Sequence, residues 1–251
     1  MSANTLIFGG SGKVARQITR MLAAEGHNVY SMIRNAEQKS DIEGIGGKPV
    51  VQSIKDSSVD DMAKTIADVG ASTVIWSAGA GGKGGLDRTQ AVDKDGAIRS
   101  MDATAKAGVK RYIIVSAVDV RDKENKPEPE WYNDEDRDRS NKVRSALGFY
   151  MECKFAADKS LVTDNGRRGL EYTIVRPGGL SDDPAKGAIE AGKVHLNQVI
   201  SREDVASVVV ECMKQGATKG LAFDCVGGDT PITDVIAKVA KDRIDTFKGR
   251  C

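Results

Sequence analysis

Short runs of aliphatic and β-branched residues alternate along the chain with segments whose apolar residues recur at helical spacing. The runs predict strands at Thr5–Phe8, Val29–Ile33, Pro49–Gln52, Thr73–Trp76, Tyr112–Val115, Tyr172–Val175 and residues 221–225. The helical spacing predicts helices over residues 13–25, 57–67, 94–107, 148–163, 202–214 and 231–241. Strands and helices that alternate in this way build a parallel sheet with helices on both faces, so the pattern predicts a doubly wound α/β fold.

Two of the predicted helices carry local end signals. Gly26 is placed to end the first helix, since glycine readily adopts the left-handed conformation of a helix C-terminus. Ser201 is placed to cap the helix over residues 202–214, with Asp204 three residues further on.

One segment, residues 119–142, breaks the alternation of strands and helices. It is densely charged and contains two prolines and the aromatic pair Trp131 and Tyr132. The alternation resumes after it, so we interpret residues 1–251 as a single domain with a long charged loop insertion. Its charge argues against a core element, and loops often close over binding sites. We expect a substrate lid that docks through the two aromatic residues; the alternative is a plain surface insertion.

Composition excludes several classes of function. Hydrophobic residues make up 40% and charged residues 29% of the chain, and the formal net charge is +1. These values are ordinary for a globular protein and create no global field for nucleic acid or anionic lipid. The apolar run near the N-terminus is too short for a signal peptide or membrane span, so we expect a cytoplasmic protein without nucleic-acid or membrane partners. The oligomeric state stays open.

No metal site is predicted. The cysteines form no CxxC pair and are expected to be free thiols: Cys153, Cys212, Cys225 and Cys251. His27 and His195 have no partners at metal-ligand spacing. The acidic run at residues 133–138 lacks the glycine of a calcium loop and is expected to form a solvated face.

The first predicted strand runs directly into a glycine-rich loop, Gly9-Gly10-Ser11-Gly12-Lys13-Val14-Ala15. Glycines here allow a sharp turn and the close approach of a pyrophosphate, and the following helix offers unpaired N–H groups and a positive dipole end. A glycine-rich turn without ligand is the alternative. The position between the first strand and first helix favours a dinucleotide site.

Four motifs in order resemble those of the extended and atypical short-chain dehydrogenase/reductases, and the resemblance covers nearly the whole chain. They are the Gly-x-x-Gly-x-x-Ala loop at Gly9–Ala15, then Ala107–Ser116, Tyr172–Leu180 and Ile200–Ala206. The most similar subgroup contains flavin and biliverdin-type reductases. The resemblance implies a Rossmann fold and a nicotinamide cofactor.

The end of the second strand distinguishes NAD from NADP. An acid there would bind the ribose 2′-hydroxyl, whereas a basic residue accommodates a 2′-phosphate. The chain has Arg34 and no acid, so we expect NADP(H), with Lys13 adding positive charge near the phosphates. The alternative for Arg34 is an ordinary surface arginine.

The rest of the cofactor site follows from the resemblance. Where the family usually has an aspartate at the adenine, this chain has Ser53 and Ile54, and we expect Asp56 to begin the next helix. The resemblance also implies that Ala78, Gly79 and Ala80 lie against the ribose. It further implies that the nicotinamide end is lined by the backbone of Pro177, Gly178, Gly179 and Leu180.

Tyr150 and Lys154 form a Y-x-x-x-K motif, which puts both side chains on one helix face. A lysine cation beside a phenol lowers its pKa, and this would allow proton exchange near neutral pH. In the resembled family the lysine also holds the nicotinamide ribose. Ser116 would be the third member and hydrogen-bond a substrate carbonyl. The alternative is that Tyr150 only packs and Lys154 only holds the cofactor.

Together these residues predict an NADPH-dependent reductase that passes hydride to a carbonyl or conjugated acceptor of a small molecule. Tyr150 would give the proton, and the substrate would lie at the carboxyl ends of the strands, under residues 119–142. The rival hypothesis is a non-redox protein of the same fold, either an NADP(H) sensor or an isomerase. Ala117 and Val118 keep the rival open, because the family often has its catalytic hydroxyl at one of these positions, and so does the missing adenine aspartate. In the flavin-reductase-like subgroup the serine matches Ser116 itself.

Overall fold

The computed structural model describes residues 3–80 and 85–248, and every structural statement below concerns these residues. The strands are β1 Asn4–Phe8, β2 Asn28–Ile33, β3 Lys48–Val51, β4 Thr73–Trp76, β5 Arg111–Val115, β6 Glu171–Pro177, β7 Gly179–Ser181, β8 Ala188–Gly192, β9 Val199–Ser201, β10 Leu221–Gly227 and β11 Thr230–Pro231. The helices are α1 Lys13–Ala24, α2 Lys39–Glu43, α3 Val59–Asp68, α4 Gly85–Thr89, α5 Ala97–Lys106, α6 Asp134–Thr163, α7 Asn165–Arg168, α8 Arg202–Lys214 and α9 Ile232–Lys241.

The main sheet has the strand order β11-β8-β10-β6-β5-β4-β1-β2-β3. The seven strands from β10 to β3 in this order are parallel. At the other edge, β8 runs antiparallel to β10, and β11 runs antiparallel to β8. This confirms the predicted doubly wound α/β fold. From β1 the chain winds outwards through β2 to one side and through β4 to the other, so a crevice opens where β1 and β4 end.

Apolar residues pack on both faces of the sheet. On one face, Ile18 of α1, Val209 of α8 and Ile236 of α9 belong to one buried cluster. On the other, Met62 of α3 and Met101 of α5 belong to a second. The central strands are buried on both sides, which explains why they read as unbroken apolar runs.

The predicted helix ends are confirmed at both positions. Gly26 has a φ of 83°, and the next residue donates its N–H back to the Leu22 carbonyl. The Ser201 side chain accepts the Asp204 N–H at 2.9 Å. Both signals act within one helical turn, so the local sequence is enough to specify them.

The prediction that residues 119–142 form a loop was wrong for its second half. α6 begins at Asp134, not at 148, because Asn133 and Asp136 form a reciprocal capping box. Ion pairs along the helix, such as Arg137–Asp134 at 2.8 Å, suit a solvated helix with no apolar stripe. A kink at Leu147 then separates this polar half from the half that carries Tyr150.

Buried contacts fix the polar half of α6 to the preceding loop. Asp119 is buried and accepts the Ser140 hydroxyl at 2.6 Å, while Arg144 donates to the Asp119 carbonyl at 2.9 Å. The Trp131 indole donates to the Val194 carbonyl at 3.1 Å. Whether residues 119–142 act as a lid stays a prediction.

Two sequence expectations concern other parts of the molecule. Cys153, Cys212 and Cys225 are free and buried, whereas Cys251 lies outside the described residues. Across residues 3–80 and 85–248, we find no helix whose length and apolar character would suit a membrane span.

Candidate functional site

The loop between β1 and α1 packs tightly against the ends of β2 and β4. Gly9 has a φ of 80°, and a Cβ atom there would lie 2.5 Å from the Ala78 Cα. A Cβ on Gly10 would lie 2.6 Å from the Ser31 Cβ. Both positions therefore require glycine, and the backbone is held at the mouth of the crevice.

Gly12 caps the start of α1 without any side-chain hydrogen bond, and the first turn of that helix contains no acid. The first-turn N–H groups of Lys13 and Val14 have no partner within the helix, so they are available to an anion. Val14 is buried, which leaves only its backbone for such a contact, and Ser11 is exposed beside it. This geometry fits a pyrophosphate.

Lys13 is not free in this structure. Its ammonium group forms an ion pair with Asp182, which Arg202 also contacts at 2.8 Å. The Lys13 side chain is largely exposed, so it can exchange this partner for a phosphate.

Arg34 follows the last residue of β2 and is exposed. It makes no ion pair or hydrogen bond with any described residue, so its guanidinium is available. Ser53 differs, because its hydroxyl donates to Asp56 Oδ2 at 2.6 Å. Asp56 lies in a turn and does not begin α3, which Ser58 caps, so that expectation was wrong. The neighbouring Ile54 is held through its carbonyl by Arg99 at 3.0 Å.

The segment Ala78–Gly79–Ala80 is anchored by a residue that the sequence did not reveal. Between α4 and α5 the chain forms a π-helical turn, Gln90–Gly96, which carries the fully buried Asp93. Asp93 Oδ2 accepts the Ala80 N–H at 2.9 Å. A Cβ on Gly79 would lie 3.2 Å from Asp93 Oδ1, so the carboxylate packs closely under this segment.

Asp93 also holds the predicted lysine. Lys154 Nζ lies 3.3 Å from Asp93 Oδ1 and donates to the Val115 carbonyl at 3.3 Å. Burial alone would lower the pKa of Lys154, but Tyr150, Asp93 and Asp158 outweigh it and raise that pKa. Since an ammonium group has three N–H donors, one remains for a ribose hydroxyl.

Tyr150 and Lys154 lie on one face of α6, with Nζ 5.8 Å from the centre of the phenol ring. The expected fall in the phenol pKa is wrong for this structure. Burial raises the pKa of Tyr150 above its usual value, and Lys154 offsets this only in part because Asp93 and Asp158 lie nearby. Tyr150 therefore keeps its proton at neutral pH, and Lys154 is the neighbouring cation that can stabilise the phenolate left after a proton transfer.

Ser116 lies just after β5, beside the carbonyl that Lys154 contacts. Its hydroxyl donates to Asp158 Oδ2 at 2.6 Å, so it is not directed at a substrate in this state. Asp158 is fully buried, and burial raises its pKa to about 6.

The predicted nicotinamide end lies at the carboxyl end of β6. The strand ends with Pro177, and Gly178 donates its N–H to the Cys225 carbonyl at 2.8 Å. A Cβ on Gly178 would meet the Val226 side chain at 2.9 Å. Gly179 and Leu180 then enter β7, and the Leu180 side chain is exposed.

A family model described as NAD(P)H-binding matches residues 9–216. The chain belongs to this NAD(P)H-binding family. The match begins at the first glycine of the loop and extends beyond Tyr150, Lys154 and the segment after β6, so the whole candidate site lies within the family's shared region.

Two related proteins align with nearly the whole chain. A UPF0659 protein of Schizosaccharomyces pombe is 38% identical over 92% of this chain and 93% of its own. The uncharacterised sugar epimerase YhfK of Bacillus subtilis is 34% identical over 93% of this chain and 98% of its own.

Solved structures of the NAD(P)H-binding fold superpose closely. A Bacillus halodurans protein, provisionally named an NAD-dependent epimerase/dehydratase, shares 31% identity and a TM-score of 0.78 over 94% of this chain and 100% of its own. ChuY, an anaerobilin reductase of Escherichia coli, has a TM-score of 0.70 at 23% identity over 90% of this chain and 98% of its own. The likeness to ChuY is one of fold alone.

Within the family's shared region, sequence reasoning missed two buried acids. Asp93 lies four residues before Ala97, on the inner face of the α4–α5 helical run. Asp158 lies four residues after Lys154 and three before Leu161, both of which are buried. An acid on the apolar face of the helix predicted over residues 148–163 is the signal that would have revealed Asp158. Asp93 lies one residue before the helix predicted over residues 94–107, so the sequence pattern carried no such signal for it.

Proposed function

We propose that the protein is an NADPH-dependent reductase that delivers hydride from bound nicotinamide to a carbonyl or conjugated acceptor of a small molecule. The Tyr150 phenol beside the buried Lys154–Asp93 ion pair is the observation that carries this proposal. Reduction of a carbonyl leaves negative charge on oxygen, and Tyr150 would supply the proton there.

The preference for NADP(H) is proposed from Arg34. Its exposed guanidinium has no partner among the described residues and follows directly on β2, the strand whose end selects between the two cofactors. A planar guanidinium can form two charge-assisted hydrogen bonds to a phosphate. The residue after Arg34 is Asn35, so this position carries no carboxylate that would repel the phosphate.

The remaining residues would place the cofactor. The backbone from Gly9 to Val14 would hold the pyrophosphate. The nicotinamide ribose would be held by the segment Ala78–Ala80 and by the third N–H of Lys154. Asp93 contacts both and would fix their relative positions. The backbone of Gly178 and Gly179 would lie at the reacting end, and the close contact with Val226 would hold it there.

The names of YhfK and the Bacillus halodurans protein favour a second candidate, a sugar epimerase. An epimerase of this kind would first oxidise a hydroxyl group, and this requires a residue that accepts a proton. Tyr150 would have to be ionised to accept that proton. Burial raises the pKa of its phenol and so favours the protonated form, which is the form that the proton-donating step of a reduction needs.

The test is NADPH consumption, followed by absorbance, against a panel of quinones, flavins and aldehydes. Tyr150→Phe keeps the ring but removes the hydroxyl. We expect turnover to fall roughly a hundredfold to ten-thousandfold while NADPH binding survives. Tyr30→Phe, on the distant strand β2, is the matched control and should retain turnover.

Two results would contradict this proposal. A wild-type protein that binds NADPH but reduces no acceptor would favour the non-redox sensor or isomerase. Normal turnover by Tyr150→Phe would show that the proton comes from another source.

A further inference from the structure

Asp158 lies one helical turn beyond Lys154 and is completely buried. Its Oδ2 atom accepts the Ser116 hydroxyl at 2.6 Å. Its Oδ1 atom is buried and has no hydrogen-bond partner among residues 3–80 and 85–248. A buried carboxylate with one unsatisfied oxygen costs free energy. This site therefore favours the neutral acid more than a solvent-exposed site would.

Charged and titratable groups face Asp158 from several elements. Lys154 lies on the same helix, Arg176 on β6 and Asp224 on β10, and Ser116 lies just after β5. The two cations and the Ser116 hydrogen bond lower the pKa of Asp158, but burial outweighs them. The charge of Asp158 also contributes to raising the pKa of the Tyr112 and Tyr150 phenols. With a pKa raised to about 6, Asp158 changes protonation within the pH range in which enzymes work.

The direction of the Ser116 hydrogen bond depends on that protonation. An ionised carboxylate can only accept a hydrogen bond, so Ser116 Oγ donates to Asp158 Oδ2 across the 2.6 Å contact. A protonated carboxyl can donate to Ser116 Oγ instead. The Ser116 hydroxyl hydrogen is then free to turn to another acceptor.

We propose that Asp158 is a positioning residue for Ser116: the neutral acid releases the Ser116 hydroxyl to donate to the substrate oxygen, and the carboxylate withdraws it. This inference rests on the proposed reductase function. The switch exchanges one proton between Asp158 and solvent, and Asp158 keeps its proton while Ser116 donates its hydrogen bond to the substrate. Turnover that depends on Ser116 should thus fall as pH rises through the titration of Asp158.

Asp158→Asn tests this proposal, because we expect the variant to be faster than the wild type at high pH. The amide can donate to Ser116 Oγ at every pH, so Ser116 stays released. We expect wild-type turnover to fall about tenfold from pH 5 to pH 8, the worth of one hydrogen bond. The variant should stay flat over this range and exceed the wild type at pH 8 by about the same factor. Ser116→Ala should be slow and flat, and adding Asp158→Asn to it should change nothing.

A variant profile that still falls with pH would overturn the proposal. So would a gain at pH 8 that persists in the Ser116→Ala background, because Asp158 would then act independently of the serine.

A second measurement separates this inference from the reductase proposal. In cofactor-free protein with ¹³C-labelled aspartate carboxyls, NMR should show one resonance that titrates well above the ordinary range and is absent from Asp158→Asn. Ser116→Ala should raise its midpoint further, since the serine hydrogen bond favours the carboxylate. These shifts would support the hydrogen-bond switch even if no acceptor is ever reduced. The absence of such a resonance would overturn the switch even in an active reductase.

Discussion

The three glycines of the phosphate loop differ in what they do. A side chain on Gly9 or Gly10 would collide with Ala78 or Ser31, so these glycines serve the fold. Gly12 has an ordinary φ of −66°, and a Cβ there would lie 3.1 Å from the Gly9 carbonyl oxygen, 3.6 Å from the Ser77 carbonyl oxygen and 4.0 Å from the Ala15 Cβ. It is therefore the position at which binding can be blocked with little damage to the fold.

We predict that Gly12→Val unfolds cooperatively but no longer gains stability from NADPH. The branched side chain would cover the first-turn N–H groups that a pyrophosphate needs. Thermal unfolding with and without NADPH measures this. Gly166→Val in α7, where the glycine faces open space, is the control and should keep the full shift. A normal NADPH-dependent shift in Gly12→Val would show that this loop is not the site.

Arg34→Ala should weaken NADPH binding far more than NADH binding. A charge-assisted, forked contact to the 2′-phosphate is worth about 1.5–3 kcal/mol, which corresponds to at least a tenfold change in affinity. Fluorescence titration with both cofactors measures the ratio. Arg139→Ala, an exposed arginine of α6, should leave both affinities unchanged. Equal weakening of both cofactors by Arg34→Ala would refute the assignment.

At the residue scale, the sequence predicted the members of the site that follow local patterns. The glycines follow a strand directly, and Tyr150 and Lys154 are one helical turn apart. It could not predict that Ser116 donates to an acid 42 residues away, or that burial, together with two buried acids, raises the phenol pKa. Such effects arise only when separate elements pack together, because burial changes the energy of every charge in the cluster.

At the scale of elements, the start of α6 depends on one carboxylate. Asp136 accepts the Asn133 N–H at 3.0 Å and the Leu196 N–H at 2.6 Å, and His195 Nδ1 lies 2.6 Å away. Burial would raise the pKa of Asp136, but these hydrogen bonds outweigh it and lower that pKa. The stability that Asp136 contributes is therefore present above the pKa of the unfolded chain and is lost as pH falls through the lowered pKa.

We predict that Asp136→Ala loosens residues 133–147 without affecting cofactor affinity. Loss of a capping carboxylate and its buried partners costs about 1–3 kcal/mol. Hydrogen exchange should accelerate in this segment, whereas Asp138→Ala, an exposed acid on the same helix, should leave exchange unchanged. If residues 119–142 also form a lid, turnover should change in the Asp136 variant. Unchanged exchange in Asp136→Ala would show that other contacts hold this half of α6.

The elements that the sequence predicted well are those with strong periodicity. The short strands β7, β8, β9 and β11 escaped prediction, because their few residues carry no period and their partners are distant in sequence. The first half of α6 escaped for a different reason: it is polar on all sides, so its helix signal lies in the capping box and the ion pairs.

At the scale of the whole molecule, the site joins parts of the chain that are far apart in sequence. The loop after β1, Arg34 after β2, the π-helical turn, Ser116 and α6 all meet the crevice or the carboxyl ends of neighbouring strands. The doubly wound order brings these ends together, because all of these strands point the same way. The fold thus brings the parts of the candidate cofactor site together, and in our proposal the reaction depends on Tyr150 and the buried charges around Lys154.

The central claim is that hydride passes from NADPH to a carbonyl or conjugated acceptor. Its most direct test is a single turnover with NADPH that carries deuterium at the transferable position of the nicotinamide, with mass spectrometry of the product. The account predicts a reduced acceptor that has gained one deuterium from the cofactor. Recovery of all the deuterium in NADPH after incubation with every acceptor would contradict it.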